Sequence, residues 1–198
     1  LDLLSLAGLT VRLLVLVAEG AGATDDPCEA LALGRVYGQA TDWHRAEAAY
    51  ERALELVARA DVARRLPGAV MDRSSVLAAV RVDALRALAV GARRLRQFDA
   101  AAARWRQLLE TPGCPVAVRR EATEALAIHH EHRDRDLEAA RSFALKGLEM
   151  GTERAWGDAA RHRLARIERK LVSERPLFPS SPSQPPCGSP TSGPRTSS

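Results

Sequence analysis

Cysteine, lysine and aromatic side chains are scarce in this chain of 198 residues, and no apolar run is long enough to span a bilayer. The three cysteines, Cys28, Cys114 and Cys187, are odd in number and far apart, with no CxxC or Cys/His spacing. That excludes a disulfide framework and a cysteine zinc site, and a reducing cytoplasm fits best. Aromatics make up 4% of the chain, fewer than most sheet proteins carry. Lys146 and Lys170 are the only lysines, so the positive charge is nearly all arginine, a bias that genomic base composition explains as readily as a binding role. The most apolar stretch, Leu3 to Ala18, is 16 residues long and interrupted by Arg12. A spanning helix needs about 20 residues and a signal peptide needs a basic leader, so this stretch reads as a buried soluble helix rather than as the remnant of a signal or anchor, and no membrane partner is expected. There is also no glycine-rich phosphate loop, no GxSxG elbow and no Cys/His nucleophile pattern. Alone, this chain is not expected to be an enzyme, and no cofactor is expected in it.

Ala, Leu, Arg and Glu dominate, all strong helix formers, while β-branched residues are sparse beyond Thr10 to Val17. The fold class expected is all-α. The formal net charge of +4 is uneven: residues 151–175 carry +3, Arg195 adds one, and residues 1–150 are neutral. A neutral body argues against a nucleic-acid channel along the whole surface, but the basic last helix, with Arg161, Arg163, Arg166, Arg169 and Lys170, could meet phosphate or simply be solvated. Three regions are expected: an apolar helix at 1–23, a helical body at 24–172, and a disordered tail at 173–198. The final 25 residues hold seven of the eleven prolines, and Pro182 to Pro185 has PxxP form by chance rather than as a ligand motif.

Asp25, Asp26 and Pro27 mark a helix start, a capping carboxylate followed by proline in the first turn. Leu33, Gly34 and Tyr37 then share one helix, Thr41 to Trp43 make a turn, and Ala46, Tyr50 and Ala53 recur on a second helix. Advancing by 55 residues gives Leu85, Leu88, Ala89 and Ala92, a turn at Arg96 to Phe98, then Ala101, Trp105 and Leu108, ended by Thr111 to Gly113. A degenerate third copy runs from Val116 to Met150, with Leu126, Ala127 and His130, a turn lengthened by one residue at Arg133 to Asp136, then Ala140, Ala144 and Gly147. Trp156, Ala160, Leu164, Ile167 and Leu171 give a closing amphipathic helix.

These offsets resemble the tetratricopeptide repeat, with an insertion at Ala60 to Val80 that lengthens the usual period of about 34 residues. The resemblance implies stacked antiparallel helix pairs in a right-handed α-solenoid, capped by the last helix. Small residues, Gly34, Ala46, Ala89 and Ala101, should lie where paired helices touch. Breaks are expected near Thr41, Leu66 to Asp72, Arg96, Thr111 to Pro115, Arg133 and Gly151, with no strand between. The family's groove positions carry over to Leu31, Arg35 and Gln39 in the first copy and to Arg86, Val90, Arg93 and Arg94 in the second. Arginines there could clamp a peptide carboxylate, or be ordinary solvated side chains. The resemblance therefore implies a scaffold whose partner is a protein or peptide. His129, His130, Glu131 and His132 are the densest set of metal-ligand types, but they lack HExxH spacing and the sequence names no third ligand on another element, so they read as a structural face.

A narrower likeness rests on Asp2-Leu3-Leu4-Ser5-Leu6-Ala7, Pro112-Gly113-Cys114-Pro115, Glu131 to Asp136 and Arg161-His162-Arg163-Leu164. These are similar to the C-terminal half of bacterial YprB-type ribonuclease-H-like exonucleases, which carry a helical repeat tail. In that family an aspartate before the leucine-rich helix closes a two-metal carboxylate site, and Asp2 matches it. The preceding aromatic or His and the other carboxylates are absent, so divalent metal chemistry would belong to a domain upstream of Leu1. This chain would then be an accessory tail, inert alone, with nucleic acid reached through the upstream domain or the basic last helix.

Overall fold

The computed structural model describes residues 3–64, 74–150 and 154–174. Among them every regular element is helical: α1 (Leu3–Glu19), a 3-10 turn (Ala21–Ala23), α2 (Pro27–Gln39), α3 (Trp43–Arg64), α4 (Ser74–Arg94), α5 (Phe98–Glu110), α6 (Val116–His129), a π-helical turn (His130–Asp134), α7 (Leu137–Glu149) and α8 (Arg154–Glu174). Asp2, the expected break at Leu66 to Asp72, Gly151 and residues 175–198 lie outside the described residues. None of the described helices is long and apolar enough to cross a membrane.

Local chemistry explains where the chain turns. Asp26 caps α2 by accepting a hydrogen bond of 2.7 Å from the Cys28 amide, with Pro27 at the first helical position. Asp136 caps α7 in the same way through the Ala139 amide at 2.9 Å. Among the described residues three that are not glycine, Thr41, Arg96 and Arg135, are left-handed, at φ of 62°, 62° and 55°. Each closes a helix. At the first turn Asp42 N–H donates to Tyr37 C=O and Thr41 N–H to Gly38 C=O; at the second, Gln97 N–H donates to Ala92 C=O and Arg96 N–H to Arg93 C=O. This paired bonding satisfies the last helical carbonyls and reverses the chain within three residues. At the third turn the equivalent bond runs from Asp136 N–H to His130 C=O, one residue further back. The extra residue expected in a loop at Arg133 is instead absorbed by the widened π turn, and the reversal falls at Arg135.

Each helix from α2 to α8 packs on the next in the chain, and α2 also touches α4. Small residues permit the close approach. Ala46, Ala49 and Ala53 on α3 and Ala89 on α4 are fully buried, and Ala101 on α5 is 4% exposed. A methyl group added at Gly34 would lie within 3.0 Å of the Tyr50 ring, too close for any real contact, and Tyr50 is itself 5% exposed. Substituting Ala46 with Leu should therefore overpack this layer and cost about 1–3 kcal/mol, measured as a lowered thermal midpoint.

Three buried clusters follow one another: one around Leu33, Tyr37, Tyr50 and Val57, one around Leu85, Trp105, Leu108 and Leu126, and one around Leu137, Ala140 and Ile167. The apolar face expected on the last helix is used, with Ile167 fully buried and Leu164 and Leu171 packed on the third cluster. The first region does not stand apart from the body. Leu16 belongs to the first cluster, Tyr37 donates to Val17 C=O at 2.9 Å, and Arg12 pairs with Glu29 at 2.8 Å. The rest of α1 is not the buried helix expected from its sequence: Leu3, Leu9, Val11 and Leu14 stand at 60–86% exposure, because among the described residues only the C-terminal end of α1 packs on the first cluster. Cys114 is buried, which pushes its thiol pKa up, and Cys28 is exposed; both are reduced.

Candidate functional site

An open cleft with convergent polar groups lies between α2 and α4, over the start of α3, with a volume of about 620 Å³. Arg35, Gly38 and Gln39 come from α2, Trp43 and Tyr50 from α3, and Asp83, Arg86, Val90, Gly91 and Arg94 from α4. Tight packing shapes its floor. A methyl at Gly91 would overlap the Trp43 indole, so the absent side chain is what lets the ring lie against α4. Trp43 and Tyr50 are tilted neighbours, their centroids 6.3 Å apart, and burial pushes the Tyr50 hydroxyl pKa up.

Five of the seven residues nominated from sequence meet here: Arg35, Gln39, Arg86, Val90 and Arg94. The other two do not. Leu31 is 7% exposed and belongs to the first core cluster. Arg93, one residue before Arg94 and so about 100° around the helix, faces a separate hollow of about 190 Å³ with Phe98, Trp105, Ile128, His129 and Arg133.

The arginines are not alike. Arg35 on α2 bonds Asp83 on α4 at 2.6 Å. Arg86 on α4 grips both oxygens of Glu121 on α6, at 2.6 and 3.3 Å, and that hydrogen bond raises its pKa. Arg163 on α8 bonds Glu124 on α6 at 2.9 Å. Ion pairs thus run from α2 to α4, α4 to α6 and α6 to α8, linking alternate helices. Arg94 has no carboxylate partner among the described residues. Sequence offsets marked Arg35 and Arg86 but not their partners, which lie 48 and 35 residues away with no common period.

Most of the basic last helix is also engaged. Arg161 pairs with Asp158, Arg163 with Glu124, and Arg166 and Lys170 both with Glu131. Glu131 is held at the π turn with no side-chain exposure. Burial alone would raise its pKa, but hydrogen bonds from Arg166 (2.9 and 2.6 Å) and Lys170 (2.7 Å) outweigh that and hold it at about 2.

His129 is buried at 8% side-chain exposure and faces two carboxylates, Asp134 on the π turn and Asp99 at the start of α5. These three offer donor atoms within 4.8 Å of one another. The third donor on another element, which the sequence did not reveal, is Asp99, 30 residues before the histidine. His130 stacks on Phe143, its ring 5.4 Å away and nearly parallel, and burial lowers its pKa; His132 is half exposed. Compared with protein-family models, curated proteins and solved structures, the chain has no significant match.

Proposed function

We propose that this chain is a protein-interaction scaffold of the tetratricopeptide type, whose α2/α4 cleft takes an extended peptide segment carrying a carboxylate. The observation that carries the reading is the convergence of Arg35, Arg86 and Arg94 on one open cleft that also offers Trp43 and Val90. The 55-residue recurrence of the closing turns, at Thr41 and Arg96, supports a repeat of helix pairs. Arg94 supplies an unneutralised guanidinium suited to bidentate carboxylate pairing. The exposed Arg35–Asp83 pair is worth at most about 1 kcal/mol in water, so an incoming carboxylate can compete for Arg35 at little cost. Charge would speed association and make it salt-sensitive, while the apolar floor would supply affinity.

An arrayed library of acidic and neutral peptides, probed at two salt concentrations, tests this. Acidic sequences should bind, more weakly at high salt, and Arg94→Glu should weaken them roughly tenfold, about 1.4 kcal/mol. Arg94 is the informative position because reversing Arg35 or Arg86 would also remove an interhelical ion pair. Equal binding of neutral and acidic peptides, or full binding by Arg94→Glu, would refute the reading.

The second reading, an accessory tail of a ribonuclease-H-like exonuclease, is favoured by α1, whose exposed Leu3, Val11 and Leu14 share one side of the helix, an apolar face suited to docking on a further domain. The pairing of Arg161, Arg163, Arg166 and Lys170 with carboxylates leaves less charge for nucleic acid on the last helix than its sequence suggests.

A further inference from the structure

We infer that Asp99, His129 and Asp134 bind a divalent transition cation, with zinc the best fit, which ties the start of α5 to the end of α6. The π turn makes this triad. Residues five apart lie about 140° apart on an α-helix, on nearly opposite faces, whereas a π turn bonds i to i+5 and brings them together. His130–Asp134 adopts that turn, and Asp134 Oδ1 comes to 3.3 Å from His129 Nε2. Asp99 reaches the same nitrogen from the neighbouring helix, with Oδ1 at 3.7 Å.

The spacing points to an ion rather than to hydrogen bonds alone. A good N–H···O bond spans about 2.7–3.2 Å, and both separations exceed it. Four donors placed tetrahedrally about 2.0–2.1 Å from zinc stand roughly 3.3–3.4 Å from one another, which matches the 3.3 Å between His129 and Asp134, and a small shift of the exposed Asp99 side chain brings its 3.7 Å into that range. The imidazole is more than nine-tenths buried, and its Nε2 faces both carboxylates. Behind the donors, Asp134 Oδ2 stands 2.9 Å from His130 Nδ1 without hydrogen-bond geometry, and the His130 ring is held by stacking on Phe143. One imidazole and two carboxylates suit zinc or manganese and leave at least one coordination position open to water. A structural clip is the role that follows, because the donors bridge two helices whose contact is otherwise made through the second core cluster.

Metal-free protein titrated with Zn²⁺ and separately with Co²⁺ tests the site by calorimetry, by visible absorption of the cobalt form and by thermal midpoint. One equivalent should bind in the micromolar range or tighter, give tetrahedral cobalt bands and raise the midpoint. Asp99→Ala should weaken binding at least roughly tenfold and abolish the bands; its side chain is 97% exposed, so the variant folds. His132→Ala, beside the triad but outside it, should bind as wild type. Binding only at millimolar metal, undiminished binding by Asp99→Ala, or loss of binding in His132→Ala would each overturn the assignment.

Discussion

Replacing both Arg166 and Lys170 with alanine should lower folding stability by about 3 kcal/mol near neutral pH, because it strands a buried carboxylate at Glu131. The two cations are 45% and 41% exposed and would regain water if Glu131 were removed instead, so Glu131→Gln should cost less than the double variant. Acid separates this account from a general packing defect. The Glu131 pKa falls from 4.5 to about 2 on folding, so the carboxylate stabilises the native state above pH 4.5. That contribution, about 3 kcal/mol, is lost as pH falls from 4.5 towards 2. Chemical denaturation from pH 6 to pH 2 should show this loss in the wild type. In the double variant burial acts with only the exposed His132, 3.7 Å from the carboxylate, beside it, so protonation relieves the stranded charge and the stability gap should narrow in acid. A gap that stays constant with pH would mean that Glu131 is not what the two cations stabilise.

Two glycines one turn apart on α2 should respond to alanine with opposite signs. Exchanging glycine for alanine inside a helix gains about 0.5–1 kcal/mol from backbone entropy when there is room. At Gly38 there is room, since an added methyl would meet only the Tyr50 hydroxyl at 3.6 Å, and Gly38→Ala should stabilise by about that amount. At Gly34 the methyl would lie within 3.0 Å of three ring atoms of Tyr50, a buried side chain that would have to shift. Overpacking of that kind costs about 1–3 kcal/mol and outweighs the entropy gain, so Gly34→Ala should be a net loss of about 1–2 kcal/mol. Thermal melts of the two variants side by side decide it, and a stabilising Gly34→Ala would contradict the close α2–α3 approach.

The contrast between those glycines shows what the sequence made legible. Gly34 and Ala46 as small residues where α2 and α3 touch could be read because helical spacing and a recurring offset are local properties of the chain; that Gly34 meets Tyr50 could not. Gly91 against Trp43 was not read, because the 55-residue register places Ala89, not Gly91, at the position equivalent to Gly34. The π turn was equally hidden: an inserted residue looks the same in sequence whether a loop or a widened helix absorbs it. Five cleft residues were found by offset, yet Leu31 and Arg93 were not brought to the cleft, since a single step on a helix changes which neighbour a side chain meets. The acidic partners Asp83 and Glu121, and Asp99 beside His129, depend on how successive helices cross, which no local period records.

The measurement that bears most directly on the scaffold account uses tryptophan as its reporter. Trp43 lines the α2/α4 cleft, and Trp105 lines the separate hollow beside Arg93. With 5-fluorotryptophan incorporated and each fluorine resonance assigned by Trp→Phe substitution, the protein is titrated with the tightest acidic peptide from the array. The account predicts that the Trp43 resonance moves with saturation while the Trp105 resonance stays fixed, and that Arg94→Glu removes the movement. A Trp43 resonance unmoved while the peptide binds would contradict it.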